Sequence, residues 1–256
     1  MKASLNGAKP VLTLSGVCKR FGGVVAADDI TLELYGGEVF GLIGPNGAGK
    51  TTLVNLITGI YSADCGEIVL NGKNIVKTPT HQRARLGIAR TFQHPRLLDR
   101  CDIRTNILMG VDLACKRAKK SDTQLEQGIS ELLERAGLSQ VNLEDSVEKL
   151  AYGQQKLIEI VRAILCEPLV LLMDEPAAGL NSREMEHIVE LIDVAVKKNI
   201  AVLLIEHAMD LVMEVCDRLT VLNFGHQIAN GTPEEIQADQ TVIDAYLGGG
   251  AHAQGE

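Results

Sequence analysis

The sequence contains no tryptophan, and aromatic residues make up only 3% of its 256 positions. Apolar residues reach 46%. A chain of this size can bury one large core or two small ones, and here that core must be aliphatic. Long apolar runs are missing too. The longest, Leu169–Met173 and Ile200–Ile205, fall far short of the roughly 20 residues that span a bilayer. The opening MKASLNGAKP lacks the apolar heart of a signal peptide. The expectation is a chain that stays in the cytoplasm, soluble or peripheral. There is no basic excess: the formal net charge is −8, which argues against nucleic acid as the main partner. Cys18, Cys65, Cys101, Cys115, Cys166 and Cys216 are scattered, with no C-x-x-C pair and no zinc spacing. They read as reduced thiols that fill the interior. No internal repeat is visible, and the only low-complexity stretch is the tail GGGAHAQGE, which is expected to be disordered.

What is present alternates between strand and helix patterns. VLTLSGV (11–17) and DDITLELY (28–35) read as strands joined by a KRFGG turn. EVFGLIG (38–44) is a compact apolar strand that runs into a glycine-rich loop. TTLVNLITGI then takes helical spacing and ends at Gly59. EIVLNGKNI (67–75) reads as a hairpin turning at Asn71-Gly72. From about residue 94 to 166 the character turns helical, with Ser121 as a cap and a further helix after Leu150. LVLLMDE (169–175) and IAVLLIE (200–206) are continuous apolar runs, the mark of strands buried on both faces of a parallel sheet. Helical segments follow each, around 182–198 and 208–216. LTVLNFGHQIANG reads as a hairpin, and Thr232-Pro233-Glu234-Glu235 as a capped helix start.

Three sites carry chemistry. Gly44-Pro45-Asn46-Gly47-Ala48-Gly49-Lys50-Thr51 fits G-x-x-x-x-G-K-[ST], with Thr52 next. Its glycines let backbone N–H groups surround phosphates at a helix N-terminus. Lys50 suits the β- and γ-phosphates, and the Thr51 hydroxyl suits Mg²⁺. Asp174 and Glu175 end a buried strand where ligands of parallel sheets bind. Asp174 suits a Mg²⁺ shell, and Glu175 can take the proton of an attacking water. His207 follows the next buried strand and can reach a γ-phosphate oxygen, although a lone histidine there reads more readily as a surface or helix-capping residue. Gln93 in RTFQHP, taken alone, could be a plain loop residue.

Together, from about 11 to 247, these residues resemble the ATP-binding cassette (ABC) ATPases. The resemblance implies an α/β fold. Its core is a P-loop NTPase with a parallel sheet, an N-terminal antiparallel β subdomain, and a helical subdomain inserted at about 94–166. It further implies a single domain over 11–247 and a flexible tail at 248–256. Phe21 stands where an aromatic stacks on adenine, and Gln93 where a glutamine bridges Mg²⁺, water and a membrane partner. LAYGQQ (150–155) matches the signature motif, which binds the nucleotide of the opposite subunit through Ala151, Tyr152, Gly153 and Gln154. Ala151 and Tyr152 depart from the usual serine and glycine. That puts a side-chain contact in doubt and leaves the Gly153 N–H available. AAGLN (177–181) matches the loop joining two subunits, and His207 the switch histidine. The implied cofactors are ATP and Mg²⁺, with Thr51, Gln93 and Asp174 at the metal. RFGGVVA, GIARTFQHPRLL and the ending DAYLG look like the branched-chain amino-acid import ATPases, the RTFQ-containing subunit. The implied partners are integral membrane permease subunits, a second ABC ATPase (paralogue or self), and a solute-binding protein, at the cytoplasmic side of the membrane. Import of urea, amides or aromatic acids, lipid export, and a soluble non-transport ABC ATPase remain as alternatives. Arg96, Arg100 and Arg104 read either as lining for a permease groove or as a solvated basic face.

Overall fold

The computed structural model describes residues 8–111 and 121–248. The tail from 249 onward and Cys115 lie outside them. Two sheets organise the chain. The first is antiparallel, in the order β2-β1-β4-β5, from β1 (Leu12–Phe21), β2 (Val24–Leu34), β4 (Cys65–Leu70) and β5 (Lys73–Asn74). The second has the order β10-β9-β3-β8-β7-β6. It comprises β3 (Val39–Ile43), β6 (Ile88–Arg90), β7 (Val170–Asp174), β8 (Ala201–Ile205), β9 (Arg218–Asn223) and β10 (His226–Gly231). Strands β6, β7, β8, β3 and β9 run parallel, and β10 closes the edge antiparallel.

The parallel strands are buried on both faces, and alternation divides their side chains between two cores. Leu171, Met173, Val202 and Leu204 face a helical core. Val170, Leu172, Leu203 and Ile205 face the antiparallel sheet and α1 (Lys50–Thr58). The helical side holds α3 (Ile103–Leu108), α4 (Asp122–Arg135), α5 (Tyr152–Leu165) and α6 (Ser182–Lys197). The remaining helices are α2 (Thr80–Leu86), α7 (Met209–Val215), α8 (Pro233–Ala238) and α9 (Gln240–Gly248). No helix among the described residues is long and apolar enough to cross a membrane.

The helix starts follow local chemistry. Ser121 and Gln124, Asn181 and Glu184, and Thr232 and Glu235 form reciprocal capping boxes. Gly59 ends α1 in the left-handed region at φ 78°. Two expectations change. Lys19–Phe21 belong to β1, so the turn shrinks to Gly22-Gly23. The thiol reading is corrected at Cys18 and Cys65, which form a disulfide. The antiparallel register of β1 and β4 sets these two residues opposite each other with Cα atoms 5.1 Å apart, within disulfide reach. Their separation of 47 positions leaves no spacing signal in the sequence. Cys101 and Cys216 are free thiols, and burial pushes Cys216 up to about 12.

Candidate nucleotide site

Four parallel strands deliver their next residues to one sheet edge. Gly44 follows β3, Thr91-Phe92-Gln93 follow β6, Asp174 closes β7 with Glu175 behind it, and Glu206-His207 follow β8. Ligands gather at this edge in open α/β sheets because chain reversals there leave a crevice.

The 44–51 loop wraps the start of α1. Lys50 is buried, and its ammonium donates to the carbonyls of Gly44 (2.7 Å) and Pro45 (3.1 Å). Burial pushes Lys50 below the usual lysine range, against the pull of Glu175 and Asp174. Two of the loop glycines are required by packing. A Cβ on Gly44 would strike the Leu222 carbonyl oxygen, and one on Gly49 (φ 106°) the Ala26 carbonyl oxygen. The turn after β9 backs the loop through Gly225 N–H to the Ala48 carbonyl at 2.9 Å. Asn46, Gly47 and Thr51 are exposed, while Pro45 and Thr52 are half-buried and Ala48 is buried. Phe21 is 42% exposed and meets Tyr61 edge-on, with ring centroids 5.1 Å apart.

Gln93, Glu175 and His207, far apart in sequence, come together. Gln93 Nε2 donates to Glu175 Oε2 at 2.9 Å, and His207 Nε2 lies 3.2 Å from Glu175 Oε1. Glu175 holds φ 49°, an uncommon conformation for a side-chain-bearing residue, and its N–H donates to the Ile205 carbonyl at 2.9 Å. That bond ties the Glu175 backbone to the neighbouring strand. Asp174 Oδ2 accepts from Arg90 Nη2 at 2.8 Å.

Residues 27–178 match the ABC transporter family, and residues 226–252 match the branched-chain amino acid ATP-binding cassette transporter family. The chain is 41% identical over 252 residues to the high-affinity branched-chain amino acid transport ATP-binding protein LivG of Escherichia coli K12, covering 94% of this chain and 99% of LivG. It is 39% identical over 254 residues to BraF of Pseudomonas aeruginosa, a protein of the same description, with coverage of 94% and 99%. A crystal structure of an ATP-binding cassette of an ABC transporter in its ADP conformation superposes with TM-score 0.81 at 30% identity, over 94% of this chain and 99% of that one. The chain belongs to the ABC transporter ATP-binding family. It is an ATPase coupled to transport, and it binds nucleotide.

Within this ABC ATPase, residues 150–155, expected from the sequence to be the signature segment, lead into α5 (Tyr152–Leu165) and pack within their own chain. Tyr152 hydroxyl donates to the Gln93 carbonyl at 3.0 Å, and its ring faces Gly179. The residue that replaces glycine therefore joins the Gln93 and 177–181 loops of its own chain. The Gln154 side chain accepts from the Ala151 N–H at 3.0 Å. Gly153 is buried, and a Cβ there would strike the Glu184 carboxylate, so packing against α6 also demands glycine.

Several positioning residues escaped the sequence reading. Lys156 is buried, and its ammonium donates to the carbonyls of Glu175 (2.9 Å), Pro176 (3.2 Å) and Ala178 (2.9 Å). Burial pushes it below the usual lysine range, opposed by Glu206, Glu159 and Glu175. Glu206 Oε1 accepts from Ala177 N–H at 2.7 Å. Glu159 takes the N–H groups of Phe92 (3.1 Å) and Arg96 (3.0 Å), fixing both flanks of Gln93. Charged residues buried inside α5 were the signal available. Tyr246 of α9 meets the Gly44 backbone. Of the three arginines, Arg96 and Arg100 are exposed, while Arg104 pairs with Glu126 and with Glu144.

Proposed function

We propose that this chain powers import of branched-chain amino acids or related small polar solutes, as a peripheral subunit on the cytoplasmic face of the membrane. The solute class rests on one observation: the match to the branched-chain amino acid cassette family at 226–252, where the general cassette match has already ended. Residues 11–247 act as one ABC ATPase domain. Its partners are integral permease subunits, a second ABC ATPase subunit, and a solute-binding protein. Exposed Arg96 and Arg100 face the permease, while Arg104 is engaged by Glu126 and Glu144 within the helical region.

The geometry supports the following site chemistry. The 44–52 loop cradles the ATP phosphates, with Lys50 turning from its loop carbonyls to the phosphate charge, and Phe21 meets adenine. Glu175 accepts the proton of the attacking water, held by Gln93 and His207. Ala151, Tyr152, Gly153 and Gln154 face the nucleotide of the opposite subunit. The donor set fits Mg²⁺. Thr51 offers a hydroxyl oxygen, Gln93 its carboxamide oxygen, and Asp174 Oδ1 receives no hydrogen bond among the described residues. Hard oxygen donors completed by substrate phosphates suit that ion, and no cluster of three or more His, Cys, Asp or Glu among the described residues forms a cage instead. Bound Mg²⁺ supplies neutralisation of phosphate charge.

The test is reconstitution of the chain with its permease and binding protein in liposomes. Leucine-loaded binding protein is expected to stimulate ATP hydrolysis and uptake of labelled leucine. Stimulation by urea or an amide, with none by leucine, isoleucine or valine, overturns the solute class.

A further inference from the structure

We propose that Arg90 is a positioning residue that aims Asp174 at the nucleotide-bound metal and ties that carboxylate to the floor of two surface clefts. The inference rests on the metal role of Asp174 proposed above. Arg90 ends β6, and its side chain is 11% exposed. Nη2 donates to Asp174 Oδ2 at 2.8 Å, and Nη1 donates to Asn55 Oδ1 at 2.7 Å. Asn55 belongs to α1, the helix that opens on the phosphate loop. One rigid guanidinium thus spans β7 and α1. It holds one Asp174 oxygen and leaves Oδ1 to the metal. Arginine can do this because its donors lie in a fixed planar fork, whereas a lysine ammonium keeps the charge and loses the geometry.

The same side chain lines a cleft of about 190 Å³ with Gly110, Arg162 and Cys166, and another of about 200 Å³ with Thr58, Arg83 and Phe92. Its guanidinium carbon sits 4.9 Å from the Phe92 ring centroid, and that of Arg96 sits 4.7 Å from it. Arg90 Nε is buried without a hydrogen-bond partner among the described residues. An orphaned buried donor is costly, so packing alone does not account for an arginine here.

The experiment measures Mn²⁺ affinity of the nucleotide complex by electron paramagnetic resonance, beside metal-free affinity for a fluorescent ATP analogue. Arg90→Met is expected to weaken Mn²⁺ binding about tenfold, the scale of losing a ligand's outer partner, with metal-free nucleotide affinity unchanged. Arg90→Lys is expected to fall between Arg90→Met and the native protein. Asn55→Ala, which severs only the α1 side, is expected to give a weaker shift and serves if Arg90→Met folds poorly. Metal affinity that is unchanged or tighter in the Arg90 and Asn55 variants, while Asp174→Asn weakens it, overturns the positioning role. Unchanged affinity in Asp174→Asn itself overturns the metal assignment instead.

Discussion

Two arginine–carboxylate pairs sit at opposite edges of the parallel sheet, and they are built differently. At the edge where β3 begins, Glu38 is 1% exposed and accepts from Arg218 Nε, from Arg218 Nη2 at 3.2 Å and from the Tyr35 N–H at 3.0 Å. Arg218 also donates to the Glu33 carbonyl and lies over the rings of Tyr35 and Phe40. At the edge where the strands end, Asp174 has one oxygen held by Arg90 and, among the described residues, one without a donor, and Arg90 Nε likewise has no partner among them. In the first pair both Glu38 oxygens are taken by protein donors, so it closes the fold. The second leaves valence open, at the edge where, among the described residues, the Glu175 carboxylate meets the side chains of exposed Gln93 and exposed His207. The same residue types thus do opposite work, and the difference is how completely their hydrogen bonds are met.

That contrast can be broken from either side. Arg218→Met strips the buried Glu38 of its charge partner, so unfolding free energy is expected to fall by about 3 to 5 kcal/mol. Urea unfolding reads the loss, and the Mg²⁺ dependence of hydrolysis stays as in the native protein. A shift in metal dependence would show that the two edges are coupled. At the open edge the effects reverse. Glu175→Gln keeps the shape and removes the proton acceptor, so turnover is expected to fall about a hundredfold or more, with ATP affinity and the urea midpoint unchanged. Turnover within threefold of the native rate removes Glu175 from the base role.

Smaller changes sharpen the comparison. Tyr152→Phe deletes the hydroxyl that donates to the Gln93 carbonyl, a bond worth about 1 kcal/mol. A turnover loss of about fivefold, the same energy expressed as a rate, is expected at saturating ATP. A loss confined to urea stability would make Tyr152 structural only. The smallest effect concerns Glu159. Burial raises it above the usual carboxylate range, against the Arg96 and Phe92 N–H groups, Arg162 and Lys156. The folded state then binds this proton more readily than the unfolded chain. The group's stability is full below the unfolded value of 4.5 and is lost as pH rises through the folded value. Stability of the native protein relative to Glu159→Gln is therefore expected to decline across that window. A difference that stays flat or rises between about pH 4 and 7 contradicts the sign.

Much of the architecture was legible. Helix caps at Ser121 and Thr232 are local events, decided by a side chain and the N–H three residues on. The buried strands announced themselves as apolar runs. Strand β6 did not, because three residues carry no period, and α2 and α3 were missed for the same shortness. The glycines of the phosphate loop were visible as a motif, but half of their necessity lies in the Leu222 and Ala26 carbonyls they meet. Gly153, read as a route to phosphate, is also demanded by Glu184.

By itself the sequence determined the inventory and its order: the loop at 44–52, the carboxylates ending one apolar strand, the histidine ending the next, and the family they mark. These depend on neighbours in the chain, whose backbone angles and caps are set within a few residues. Only the tertiary structure decided which groups meet. Tyr152 reaches Gln93 across 59 positions and Arg90 reaches Asp174 across 84, just as Cys18 finds Cys65 across 47. Such pairings follow from strand register and from the docking of helices on a shared core. Those are properties of many distant residues packed at once, and they leave no period in the chain to read.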